Sequence, residues 1–463
     1  MRNHPGQPAK PSCFDVVIVG AGPAGSAAAT LLARAGWSVA LIEKRAFPRR
    51  KVCGECIAAS NLSLLAALGV GTTFATAAGP ELKQVALMRG NRTLVADLPA
   101  AGGPDDAHRW GRALGRETLD TLLRDTASAA GAFVLQPWAV QSIDGGPGHW
   151  RVAMRAANDA DNAHLLASVV IDAHGSWEPL PVRALGREQQ QRRRHHRGSD
   201  LLAFKANFDD VRLPPGLLAV LAFPGGYGGM VLEGNGVATL ACCIRRDWLE
   251  PLRRQRPGMP AGEAVEAMLH EQCGGVRRAL ADAKRRDGWL AVGPIAAAYS
   301  DTAHGGRATE SDRFADGIFR IGNAAGEAHP ILGEGMSMAL QSAFLLCSEL
   351  LGADSADRKA ASRSDSARPV PDASAQHTIG RRYAAAWHRH FAARRRLAAV
   401  FAHAAMRPAL SLPLFLLCRL WPGLLTIGAR WGGKVRCAVG RSELDRLQKF
   451  CLHSPTPTIK EST

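Results

Sequence analysis

Phe14-Asp-Val-Val-Ile-Val19-Gly20-Ala-Gly22-Pro-Ala-Gly25 runs on through an alanine- and leucine-rich segment to Ala35, then Gly36, then Ser38-Val-Ala-Leu-Ile-Glu43. Residues 16–19 are apolar throughout, which suits a parallel strand covered on both faces. Three glycines then turn the chain. Gly20 allows the tight bend, Gly22 lets the backbone approach a pyrophosphate, and Gly25 lets the following helix pack close to the strand. That helix, over 23–35, aims its free amides and positive dipole end at the phosphates. Pro23 suits a first turn that lacks an N–H partner. A second apolar strand delivers Glu43, whose carboxylate accepts the hydroxyls of an adenosine ribose. Glu43 disfavours a 2′-phosphate, so the expected ligand is NAD or FAD rather than NADP.

The chain has 463 residues, enough for a large core and two or three lobes. Its formal charge is +16, carried mainly by arginine. Such a charge permits acidic substrates, anionic lipid or nucleic acid as partners and does not bear on fold. The basic runs 192–197 and 394–396 read as solvated segments, so no nucleic-acid partner is expected. Ten scattered cysteines without a regular framework, and no apolar leader, point to free thiols in a cytoplasmic protein. Cys53-Gly-Glu-Cys56 lacks the second pair that a zinc site needs, so no metal is expected.

Residues 1–12 read as a disordered tail. A basic segment, Lys44-Arg-Ala-Phe-Pro-Arg-Arg-Lys51, follows Glu43 and is placed to neutralise phosphate or to face solvent. Residues 81–97 alternate as strands do, and Gly115-Arg116 opens an amphipathic helix through 130. Residues 169–172 form a buried strand that runs into Ala173-His174-Gly175. Several short strands span 201–244, a helical pattern spans 248–285, and 317–323 is a strand followed by a glycine-rich turn and a helix from 336. Residues 351–380 are rich in Ser, Asp, Arg, Ala and Pro and read as a disordered linker.

Taken together, the opening unit, Gly115-Arg116, Asp172-Ala-His174-Gly175 and Gly322-Asn-Ala-Ala-Gly326…Pro330…Gly333-Glu-Gly335-Met336 resemble the FAD-dependent monooxygenases of the para-hydroxybenzoate hydroxylase type. Phe47-Pro-Arg…Lys51-Val-Cys-Gly-Glu55 and the glycines around Tyr227 are more similar to the geranylgeranyl-reductase-related branch. The resemblance covers about residues 14–350. It implies an α/β fold, α+β overall, with a Rossmann-like FAD-binding domain of the GR2 type, an inserted mixed-sheet substrate domain and a helical C-terminal region. The FAD-binding domain is expected over 13–78, 105–185 and 290–350, the substrate domain over 79–104 and 186–289, and the C-terminal region over 381–450.

By resemblance, FAD is held by Gly20, Gly22, Pro23, Ala24, Gly25, Glu43, Lys44, Arg116, Asn323, Gly333, Gly335 and Met336, with NADH or NADPH as a transient reductant. The helix start near Gly335-Met336 would face the flavin pyrimidine ring, where negative charge grows on reduction. Where the family has an aspartate before the glycine and an acid at the end of the late strand, this chain has His174 and Asn323. His329 and Tyr227 are the candidate catalytic residues.

Hydroxylation of an aromatic or polyketide-type hydrophobic small molecule, as in secondary metabolism, is the leading expectation. Reduction of prenyl double bonds is the alternative. The reductases carry a Tyr-x-Trp-x-Phe-Pro element, and the corresponding stretch here is Tyr227-Gly-Gly-Met-Val-Leu. A dithiol–disulfide flavoprotein using Cys53 and Cys56 is a further reading. So is a surface-bound flavin protein, in which residues 410–427 lie in a bilayer interface or else form a lid. Pro413, Arg419 and Pro422 argue against a spanning helix there.

Overall fold

The computed structural model describes residues 12–102, 109–157, 161–175, 180–182, 197–295, 313–327, 329–357 and 370–452. Ser12 already belongs to the first strand, Ser12–Val19. That strand lies between Asn162–Asp172 and Val39–Ile42, parallel to both. Phe133–Leu135 continues the sheet on one side, and Ile318–Arg320 and Phe314–Ala315 on the other. The antiparallel strands Trp138–Asp144 and Trp150–Ala156 extend it from Asn162–Asp172.

Alternation divides this sheet cleanly. Val16 and Ile18 join the larger core with the helices, while Val17 and Val19 join a second core on the opposite face. Helix Pro23–Arg34 is buried along nearly its whole length. Its small side chains let helices Gly335–Asp357 and Arg116–Ala129 approach closely.

The second sheet runs, in spatial order, Lys284–Arg285, Leu201–Asp209, Ala238–Arg245, Gly226–Leu232, Leu217–Phe223, Gln84–Arg89 and Arg92–Asp97. It is mixed: Leu217–Phe223 is parallel to Gln84–Arg89, and the other pairs are antiparallel. Helices Arg246–Gln255, Ala261–Gln272 and Gly274–Ala279 share its core. Leu290–Val292 was expected in the FAD-binding domain. It pairs with Leu201–Asp209 instead, because its backbone groups complete this sheet.

Two helices narrow the linker expected over 351–380. One runs Gly335–Asp357, and the next begins at Ala373, where the Asp372 side chain accepts the Ala375 N–H at 2.8 Å. Residues 358–369 lie outside the described residues, as do 1–11, Ser176-Trp177 and most of the basic run near 192. The Ala373–Met406 helix buries Tyr383, Trp387 and Phe391 against the first unit, and Tyr383 donates to the Arg320 carbonyl. Helices Pro408–Leu420, Gly423–Trp431 and Arg441–Leu452 follow.

Candidate flavin site and buried Tyr–His pair

The glycine turn sits at the end of the first strand. Gly20 takes φ +104°, and a Cβ there would lie 2.5 Å from the Ala173 carbonyl oxygen. A Cβ on Gly25 would lie 1.9 Å from the Gly20 carbonyl oxygen. Gly22 is different. A Cβ there would meet only the guanidinium groups of Arg49 and Arg116, each at 4.0 Å. The backbone of Gly22 therefore faces a space walled by two cations, at a helix N-terminus with no side-chain cap.

Five ionised side chains surround that space. Arg116 binds Asp120 through two hydrogen bonds of 2.7 Å. Arg49 lies 3.5 Å from Glu43 and 3.4 Å from Asp120. Its Nε is buried without a hydrogen-bond partner. The Lys51 ammonium is pushed down to about 8, first by burial and then by Arg116 and Arg49. Three cations against two carboxylates leave room for an anion, and the orphaned Nε of Arg49 supplies a donor. Glu43 is buried at the rim and accepts the N–H groups of Ala21 and Arg45, each at 3.1 Å. Lys44 is exposed just beyond it.

The late turn reaches the same place. A Cβ on Gly322 would lie 3.1 Å from the Ala24 Cβ, so Asn323 stands beside the first helix. Gly333 takes φ +62°, and Gly335 opens its helix into space that a Cβ would leave unfilled. Met336 is buried in the core behind it. This geometry suits an extended dinucleotide: a cationic cradle at Gly22 for the pyrophosphate and a free helix start at Gly335 for the ring. His174, at the position of the family aspartate, binds the Asp172 carboxylate through Nδ1. Among the described residues no cluster of His, Cys, Asp or Glu is arranged to hold a metal.

Tyr227 and His329 are 102 positions apart in the chain, yet they touch. The Tyr227 hydroxyl lies 2.7 Å from His329 Nδ1, and both side chains are buried. Leu201, Ala203, Cys243 and Ala402 pack around the tyrosine, with Val52, Ile331 and Met406 beside them. The pair thus sits where the second sheet, the late turn and the C-terminal helix meet. Burial pushes the His329 imidazole down to about 4 and the Tyr227 hydroxyl well above its ordinary value. Both groups are neutral near pH 7.

The sign of the resulting pH dependence follows from proton counting. An unfolded histidine titrates at 6.5 and the folded one near 4. The unfolded chain therefore binds the extra proton between those values. The contribution of His329 to stability is complete above pH 6.5 and is lost as pH falls through 4. In His329→Gln this acid-side loss should shrink. Unfolding midpoints of both proteins across that range check it.

In the sequence Glu55 stands only as the last residue of the stretch that resembles the geranylgeranyl-reductase-related branch, with no role assigned to it. It adopts φ +56° and is buried. Its carboxylate binds the Lys205 ammonium, accepts the Arg116 N–H at 2.8 Å and accepts the Thr239 hydroxyl at 2.6 Å. Glu233 joins the same group through Thr239 and through Asn207 at 2.9 Å. Burial and the neighbouring Glu55 raise Glu233, which holds the proton. For Glu55, burial is outweighed by the hydrogen bond from Glu233 and the Lys205 charge, which keep it ionised. This network ties the Cys53–Cys56 loop and the start of the Arg116–Ala129 helix to the second sheet. The Cys56 thiol is raised by burial, the wrong direction for a redox-active thiolate.

The profile of the FAD binding domain family matches residues 13–368. The chain belongs to that family. FAD is its cofactor, and NAD(P)H is the reductant typical of the family. The flavoprotein is 29% identical over 345 residues to a menaquinone reductase of Mycobacterium tuberculosis, covering 73% of this chain and 76% of that one. It is 28% identical over 348 residues to a kynurenine 3-monooxygenase of Salinispora arenicola, covering 72% and 71%. Among solved structures, a myxobacterial FAD-dependent chondrochloren halogenase superposes with a TM-score of 0.67 at 18% identity, covering 96% of this flavoprotein and 97% of that chain. The shared property is therefore an FAD-dependent oxidoreductase scaffold. The mixed second sheet and C-terminal helices complete the α/β architecture expected from the sequence.

Proposed function

We propose that this FAD-dependent oxidoreductase reduces a carbon–carbon double bond in an apolar, isoprenoid-type substrate. The observation that carries the reading is the neutral, buried Tyr227–His329 pair. Hydroxylation, the leading expectation from sequence, calls for a base that takes a phenolic proton near neutral pH. His329 near pH 4 is too weak for that task, and Tyr227 keeps its proton. Reduction calls instead for a group that still carries a proton at neutral pH, and the Tyr227 hydroxyl does.

Bound FAD supplies the hydride when reduced. The chain supplies the second hydrogen as a proton. With the imidazole proton on Nδ1, His329 donates to the Tyr227 oxygen, which leaves the hydroxyl hydrogen for the Cys243 thiol or for a bound substrate. Val52, Ile331 and Ala402 belong to the apolar cluster packed around the pair, which keeps it dry. Similarity to a menaquinone reductase supports the reading; similarity to a kynurenine 3-monooxygenase supports oxygen insertion instead.

Product mass decides between them. With reductant and a panel of prenyl lipids and phenols, the expected product is heavier by two hydrogens. A product heavier by one oxygen, with matching oxygen uptake, would restore the hydroxylase reading. Tyr227→Phe should retain FAD and form product about 100-fold more slowly. Unchanged turnover in that variant would remove the proton-donor role.

A further inference from the structure

The helix Pro408–Leu420 turns its apolar side outward. Ser411, Phe415 and Cys418 are buried, on one side of the helix. Leu412, Leu416 and Leu420 form a row on the opposite side, with Leu410 and Leu417 flanking it, and all five are exposed. The bend that follows carries Trp421 at 71% exposure, and the next helix adds Ile427 and Trp431. Thr426 donates to the Asp97 carbonyl at 2.6 Å, which fixes this elbow against the outer strand of the second sheet. So large a contiguous apolar surface marks an interaction site.

The surrounding charge indicates what covers it. From Arg407 to Arg430 the elbow carries three arginines and no acidic residue, with the exposed Asp97 on the strand beside it. Arg407, Arg419 and Arg430 are exposed along the elbow itself. An open cleft of about 270 Å³ beside it is lined by Arg92, Thr93, Leu94, Phe415 and Arg419, two guanidinium groups against an apolar wall. Exposed guanidinium groups around an exposed leucine and tryptophan face suit an anionic bilayer. Exposed tryptophans at the rim suit the headgroup level. Among the described residues no single helix is long and apolar enough to cross a membrane, so contact would be in the plane of the interface.

We propose that this elbow is a peripheral docking surface for the anionic face of a lipid bilayer, with the leucine row and tryptophans in the acyl boundary and the arginines on lipid phosphates. Docking there would also bring the Tyr227–His329 pair near the membrane. Met406, one residue before the elbow, packs beside Tyr227, and its carbonyl accepts the Gly225 N–H at 3.3 Å. The surface argument stands apart from the reductase reading, and binding is measured without turnover.

The experiment is co-sedimentation of FAD-loaded full-length protein with vesicles. Binding is expected to phosphatidylcholine vesicles containing phosphatidylglycerol, and at least about tenfold weaker binding to phosphatidylcholine alone. The pair Leu420→Glu and Trp421→Glu should lose at least about tenfold in vesicle affinity while keeping its flavin colour and unfolding midpoint. Replacing Arg407, Arg419 and Arg430 by glutamine should weaken binding to the anionic vesicles in particular. Three results would each overturn the proposal. One is wild-type protein that stays in the supernatant with both vesicle types. Another is a double-glutamate variant that binds as wild type does. The third is a dimer in solution that this variant dissociates, which would show a second copy covering the face.

Discussion

Gly22→Asp should yield a folded, colourless protein. Gly22 has φ −72°, an ordinary value for any residue, so the substitution strains no backbone. It also stands at the N-cap of the Pro23–Arg34 helix, where aspartate is among the favoured residues. The new carboxylate would meet Arg49 and Arg116 and would occupy the cationic space in place of the pyrophosphate. Fold stability should be unchanged or raised. FAD affinity should fall by at least about a thousandfold, roughly 4 kcal/mol, because the substitution adds both a like charge and an obstruction. Flavin absorbance after gel filtration, beside a thermal melt, separates the two effects. Yellow protein with ordinary FAD content would refute the placement of the phosphates. Gly25→Val serves as the contrast: its side chain would collide with the Gly20 carbonyl, so loss of fold is expected there.

Glu55→Ala should produce the largest loss of stability away from the glycine turn. The change leaves the Lys205 ammonium buried at 3% exposure with its principal counter-charge gone. It also removes the acceptor for the Arg116 N–H and for Thr239. Breaking one side of a buried ion pair typically costs about 3–5 kcal/mol. Replacing both partners, Glu55→Ala with Lys205→Met, should recover most of that loss, since no buried charge is then stranded. Urea unfolding of the wild type, both single variants and the double variant checks it. A Glu55→Ala protein within about 1 kcal/mol of wild type would show that Lys205 finds another partner or reaches water.

The first strand, the glycine turn, its helix and Glu43 were legible because each is local. Period-two burial explains Val16 through Val19, steric need explains Gly20 and Gly25, and a helix start explains Gly22. The late turn was legible by resemblance, through Gly322, Gly333 and Gly335. The helix boundary at Ala373 was not, because the apolar stripe of Tyr383, Trp387 and Phe391 begins only later in the sequence. Leu290–Val292 was misplaced because three residues carry too little pattern to show which sheet they complete.

By itself, the sequence determined the strand, glycine turn and helix of an FAD-binding unit, since that unit is built from neighbours in the chain and from backbone geometry that particular residue types permit. The tertiary structure alone decided which charges meet. It brought Tyr227 to His329, Glu55 to Lys205 and Glu233, and Arg49 to Gly22. It also left the leucines of the Pro408–Leu420 helix outside the core. Ionisation and exposure depend on distance and burial, and those are set by packing between distant segments rather than by spacing along the chain.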